Sequence, residues 1–203
     1  VNGKVDKTKL PKKVSVENPL DIKLLLVSLL LGLTLGCLQF LLHKVIINIK
    51  HLLKKISHDK KWQAAFGGAI LALYFIIFQT TESNGLGIDV INKALNGNAD
   101  FFTFINKYFA TALSLGVGFK GGEFVPSVFL GTTFAATVAT WVKMSAATLA
   151  SASYATMYSA AVKTPLACTI LTMELFGVQI GAFAFITCFS SASFSTFLEK
   201  HEN

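Results

Sequence analysis

The residues with the most distinctive chemistry lie together at Gly118-Phe119-Lys120-Gly121-Gly122-Glu123-Phe124-Val125-Pro126. Two glycines precede an acid and a proline, and a long apolar run follows, so a helix is expected to begin around Glu123 to Pro126. The first N–H groups of a helix have no intrahelical acceptor, and the macrodipole adds roughly half a positive charge at that end. Such a start is an anion site, and glycines ahead of it let an ion approach the backbone with no Cβ in the way. The anion-binding candidates are Gly121, Gly122, Glu123, Phe124 and Val125. The same glycines also suit a tight helix crossing, and both readings stay open at this point. Glu123 has two readings as well. An acid in a first turn complements the helix dipole, and an intramembrane carboxylate is a candidate for proton uptake or gating.

The elements that must position this break are apolar. Of the 203 residues 53% are hydrophobic and 14% charged, against about a quarter charged in soluble domains. Runs free of Asp, Glu, Lys and His extend over Leu24 to Leu42, Trp62 to Thr81, Phe124 to Val142, Met144 to Val162 and Leu175 to Leu198. Each has about the 20 residues that cross a hydrocarbon core ~30 Å thick. The chain is therefore expected to be a multi-pass, all-α membrane protein. A polar segment over residues 1–18, a transmembrane region over 19–198 and a polar tail over 199–203 make up the expected organisation.

Asn18-Pro19 reads as a helix start, opening one long helix through Leu42 and on toward Leu53. A second span over Trp62 to Phe78 carries Gly67-Gly68, where a neighbouring helix can approach. Ser83-Asn84-Gly85-Leu86-Gly87 forms a turn before a short amphipathic piece, Ile88 to Leu95, and Asn96-Gly97-Asn98 forms another. The segment Phe101 to Val117 is short and interrupted by Lys107. After Phe124 to Trp141, the run Ala146 to Val162 reads as one further span. Thr164-Pro165 is either an N-cap with a first-turn proline or a kink in a longer helix. A last span covers Val178 to Leu198. Short and broken hydrophobic segments point to transporter folds with discontinuous helices, where irregular backbone lines a cavity.

The net charge of +7 rests on 18 basic residues, all of them Lys. A nucleic-acid binder would also use Arg forks, so this charge is expected to flank membrane lipid, with no nucleic-acid partner. Cys37, Cys168 and Cys188 lie in apolar runs and the four His are scattered. No metal-ligand spacing, cofactor motif or catalytic constellation is visible, and no enzymatic activity is expected. Glu174 is a second intramembrane acid, although near Gly177 it can reach the interface or pair with a Lys. Lys120 and Lys163 read as flanking charges or as anion attractors.

The stretch from Gly118 to Pro126 followed by Phe129-Leu130-Gly131 resembles the motif of CLC chloride channels and anion-proton antiporters, in which two glycines, a variable residue, Phe, a variable residue and Pro open a half-helix on the anion path. Its Lys-Gly-Gly-Glu form is similar to the fluoride-exporting branch, whereas Val125 stands where that branch usually has Thr. Ala160 to Thr169 and Met173 to Gly177 resemble that family's penultimate helix region. The resemblance covers about Pro19 to Phe194. It implies the second inverted-repeat half of a CLC-type transporter, with broken and half-spanning helices. It further implies chloride or fluoride as cargo, possible proton coupling at Glu123, a homodimer paired through the late helices, and a place in the cell membrane. The family's first half, with its Ser motif and gating Glu, is not in these residues, nor is its late Tyr evident. A missing N-terminal half is therefore an implied partner. The alternative is a membrane protein that keeps the fold without transporting, and an unrelated small transporter is a third reading.

Overall fold

The structure is a computed structural model describing residues 22–56, 60–78, 87–119 and 121–202. The expected helix start at Asn18-Pro19, most of the turn at Ser83 to Gly87, and Lys120 lie outside those residues. Among the described residues, nine α-helices and one 3₁₀ turn account for the regular structure. They are α1 Ile22–Ile56, α2 Lys60–Phe78, α3 Ile88–Leu95, α4 Phe101–Val117, α5 Phe124–Val142, α6 Ala146–Ala152, α7 Thr156–Val162, α8 Pro165–Phe176 and α9 Gly181–Glu202. Three stretches among them are long and apolar enough to cross a membrane: Ile22–Lys55, Phe124–Val142 and Val178–Glu202. By contrast α8, with 12 residues, is about 18 Å long, little more than half of a hydrocarbon core.

The long helices α1 and α9 form the central pair, and small residues explain how closely they approach. A Cβ on Gly36 would stand 2.6 Å from the Ser191 carbonyl oxygen and 3.0 Å from Ser191 Cα. One turn earlier, Gly32 faces Thr187 and Ser190 in the same way. The pattern Gly32-Leu33-Thr34-Leu35-Gly36 is thus a small-residue seam of the kind that joins membrane helices. Around it Leu24, Leu31, Ala135, Leu149, Phe176 and Phe183 close one apolar core, and Leu35, Leu42, Phe104, Leu130 and Met157 close another. The expected close neighbour of α2 is present at Gly67, whose missing side chain accommodates Val117 of α4, while Gly68 meets only the Phe119 ring at 3.8 Å.

The expectation of one span over Ala146 to Val162 is corrected. The chain breaks at Ser153-Tyr154-Ala155 into α6 and α7, with Tyr154 N–H donating to the Ser151 carbonyl at 3.2 Å and Thr156 N–H to Ser153 at 3.2 Å. Broken backbone at membrane depth needs partners, and α9 supplies them. The Thr187 hydroxyl donates to the Ala152 carbonyl at 3.0 Å and the Ser191 hydroxyl to the Thr156 carbonyl at 3.2 Å. The break also lies where α5 crosses: a Cβ on Gly131 would stand 2.6 Å from the Ser153 carbonyl oxygen.

Thr164-Pro165 opens α8 as a separate helix, since Lys163 ends α7 in the left-handed conformation (φ 57°) and Pro165 takes the first turn. The kinked-helix reading is therefore excluded. Residues 199–202, read as a polar tail, continue α9, held by ion pairs of Glu199 with Lys163 and of Glu202 with Lys44. Lys200 and His201 in the last turn suit the negative end of the helix.

Candidate functional site: a glycine break ahead of a helix

Helix α4 ends at Gly118, whose φ of 94° is the left-handed cap that glycine favours. After the break, α5 starts with Glu123 at the N-cap (φ −80°, ψ −14°), and Glu123 makes no side-chain cap bond. The first intrahelical bond runs from Ser127 N–H to the Glu123 carbonyl at 3.2 Å, and the Ser127 hydroxyl donates to the same oxygen at 2.7 Å. Helix geometry therefore leaves the N–H groups of Glu123, Phe124 and Val125 without intrahelical acceptors, and Pro126 has none to leave. Downstream, Thr132 and Thr133 return their hydroxyls to Val128 and Phe129 carbonyls at 2.8 and 2.7 Å. These bonds let polar side chains line the buried body of α5 at no cost in unsatisfied groups.

The two readings of the glycines now separate. Among the described residues, no heavy atom lies within 4 Å of the point where a Cβ on Gly121 or Gly122 would stand, and neither has a positive φ. Neither close packing nor backbone conformation within the chain calls for glycine there. The open approach to the α5 start is the property that glycine provides.

Two cavities border the break. A larger one of about 760 Å³ is lined by Glu123 together with Gln39, His43, Lys44, Lys163, Glu199 and Glu202 among others. A smaller one of about 210 Å³ is lined by Gly121, Gly122, Pro126, Phe119, Lys107 and neighbours on α4. The structure places the five predicted site residues at one helix start, with Glu123 and the two glycines lining different cavities. Phe124 is half-buried and packs edge-on to Tyr158, with ring centroids 4.9 Å apart at 86°. Val125 is half-buried beside it.

Glu174 is exposed on α8 and lines neither cavity. Lys163 faces the larger cavity, in its ion pair with Glu199. Sequence reasoning passed over Lys107 as an interruption. It is 6% exposed, and its ammonium stands 5.1 Å from the centroid of the Phe129 ring. The available signal was its being the one charged side chain between Phe101 and Val117, which in a membrane segment marks a functional candidate. Among the described residues, no group of three or more His, Cys, Asp or Glu comes together as a metal site.

Comparison with known proteins agrees with this architecture. The sequence matches the family described as Voltage gated chloride channel over residues 5–196. It is 35% identical over 107 residues, 53% of this chain and 24% of the relative, to the Chloride/fluoride channel protein of Pseudomonas syringae pv. tomato. It is 28% identical over 185 residues, 84% of this chain and 39% of the relative, to the H(+)/Cl(-) exchange transporter ClcA of Salmonella paratyphi B. In three dimensions it superposes on the crystal structure of a CLC-type fluoride/proton antiporter with a TM-score of 0.84 at 23% identity, covering 92% of this chain and 47% of that one. The chain therefore spans less than half the length of each of these relatives. With the family matched over nearly all its length, and with the same overall fold, this chain belongs to the voltage-gated chloride channel (CLC) family of membrane proteins.

Proposed function

We propose that this chain forms one side of an anion pathway through the cell membrane, carrying chloride or fluoride past the start of α5. The observation that carries the reading is the pair Gly121-Gly122, open to their surroundings and free of any packing or dihedral need for glycine, ahead of an uncapped helix start. On this reading the N–H groups of Glu123, Phe124 and Val125 replace part of the ion's hydration shell. The names of these relatives, a chloride/fluoride channel and a proton/chloride exchanger, support both candidate anions and proton coupling. The remaining wall of the pathway comes from a first half outside these residues. Exposed apolar side chains on the late helices, such as Leu166, Ile170 and Phe185, support pairing of two protomers there.

Glu123 is the proton-uptake candidate, because it is an acid at the start of α5 that lines the larger cavity, which the ion-paired Lys163 and Lys44 also line. The test is chloride and fluoride efflux from liposomes, with the chain alone and with the first half supplied, read together with proton uptake. Anion-dependent proton movement is expected in the transporting assembly, and Glu123→Gln is expected to remove it while anion efflux continues. Efflux in neither arrangement would favour a membrane protein that keeps the fold without transporting. Proton movement that survives Glu123→Gln would take the proton role away from this residue.

A further inference from the structure

We propose that the last turns of α1 form a binding surface for the headgroups of anionic phospholipids, a role that stands apart from the anion-pathway reading. With 35 residues, α1 is about 52 Å long, against a hydrocarbon core of about 30 Å. Even tilted by about 40°, the upper end of the usual range, it would project about 40 Å along the membrane normal. One end of it therefore stands among the headgroups or beyond them. The charges say which end: Ile22 to Leu42 holds Lys23 alone, whereas His43 to Lys61 holds six Lys and one acid, Asp59.

These turns have two faces. Leu42, Ile46, Ile49 and Leu53 recur at the spacing of one side of a helix, and that side turns to the protein. Leu42, Ile46 and Leu53 are buried, and a Cβ on Gly116 of α4 would stand 2.7 Å from Ile49 Cβ. Lys50, Lys54 and Lys55 lie on the other side, exposed, with exposed Leu52 beside them. Lys44 pairs with Glu202, whereas among the described residues no acid pairs with these three. A cluster of lysines at the end of a membrane helix, with no acid of its own, is complementary to the negative surface of an anionic leaflet. A phospholipid offers a phosphate to the ammonium groups and acyl chain to Leu52 and the lysine stems.

Trp62 marks the same level. Gly67 of α2 accommodates Val117, next to Gly116, so the end of α1 and the start of α2 extend on one side of that contact. Exposed Trp62 stands in the first turn of α2, and tryptophan gathers at membrane interfaces. Trp141, the other tryptophan, lies at the far end of the α4–α5 pair, its ring centroid 5.9 Å from that of Phe101.

The two tryptophans supply the test. Trp141→Phe leaves Trp62 as the sole tryptophan of the chain. In phosphatidylcholine vesicles, brominated phosphatidylglycerol is expected to quench Trp62 above its share of the lipid, and brominated phosphatidylcholine only in proportion to its share. Lys50→Gln, Lys54→Gln and Lys55→Gln together are expected to lower that preference by at least about fivefold, the effect of one lysine near a charged surface. The corresponding three Lys→Arg changes are expected to keep it, and 1 M salt, where the screening length is about 3 Å, to abolish it. Exposed substitutions of this kind leave the fold intact, which helicity checks. In Trp62→Phe protein, Trp141 should show no preference that depends on these lysines. Equal quenching of Trp62 by the two lipids overturns the proposal before any lysine is changed. So does a preference that survives in the Gln protein, or one that vanishes when the first half is supplied and covers this face.

Discussion

Gly122→Leu is expected to bring anion efflux from liposomes down to the level of protein-free vesicles, with the helical fold intact. The two halves of that result have separate causes. Nothing within 4 Å opposes a Cβ at Gly122, its φ is not in the left-handed region, and it lies outside α4 and α5. A substitution at such a position changes stability by about 0.5 kcal/mol or less, so helicity and thermal unfolding in detergent should match those of the parent. The isobutyl group would nonetheless stand between the pocket and the α5 start, where an ion must come within hydrogen-bond distance of the N–H groups. Gly122→Ala, with one methyl group, should reduce efflux less. Equal efflux from the Leu variant and the parent would remove the glycine pair from the pathway.

The second large effect lies in the scaffold. Gly36→Val is expected to destabilise the chain by about 3 kcal/mol, the upper end of the usual cost of overpacking, and to lower its unfolding temperature. The colliding atoms are backbone: the Ser191 carbonyl oxygen at 2.6 Å and Ser191 Cα at 3.0 Å from the added Cβ. A flexible side chain could rotate away, whereas here α9 itself has to move. That movement would also disturb the Thr187 and Ser191 hydroxyls that satisfy the broken backbone between α6 and α7. Gly68→Ala is the control, as its Cβ meets only the edge of Phe119 at 3.8 Å and alanine favours helix. A Gly36→Val protein that unfolds at the same temperature as the parent would show that α1 and α9 do not pack through this seam.

Both ends of the glycine break were legible in the sequence because glycine, proline and an acid punctuate it. Ile88–Leu95 and Phe101–Val117 coincide with the segments expected from periodicity and turn residues, and α5 runs one residue beyond its expected end at Trp141. The break inside Ala146 to Val162 was not legible. No Gly or Pro marks it, its turn residues Ser153, Tyr154 and Ala155 also fit a helix, and its cause is tertiary: hydroxyls on α9 some thirty residues away accept the role of the lost helical bonds. The seam Gly32 to Gly36 was written in the sequence as two glycines four apart, but its meaning depended on which helix would lie opposite. At the site, the sequence placed Glu123 and the glycines together, while their division between two cavities and the burial of Lys107 depend on how α4 and α5 pack, through contacts such as Phe104 with Phe134, ring centroids 5.2 Å apart, which no local pattern encodes.

The central claim is that an anion rests against the backbone at the start of α5, and the most direct test is an amide nitrogen–proton NMR titration of the labelled protein with chloride and fluoride. The account predicts that the resonances of Glu123, Phe124 and Val125 shift saturably with one or both anions, and that Gly122→Leu removes the saturable shift. Resonances at those three positions that stay fixed while the protein transports, or that move only in proportion to ionic strength, would contradict it.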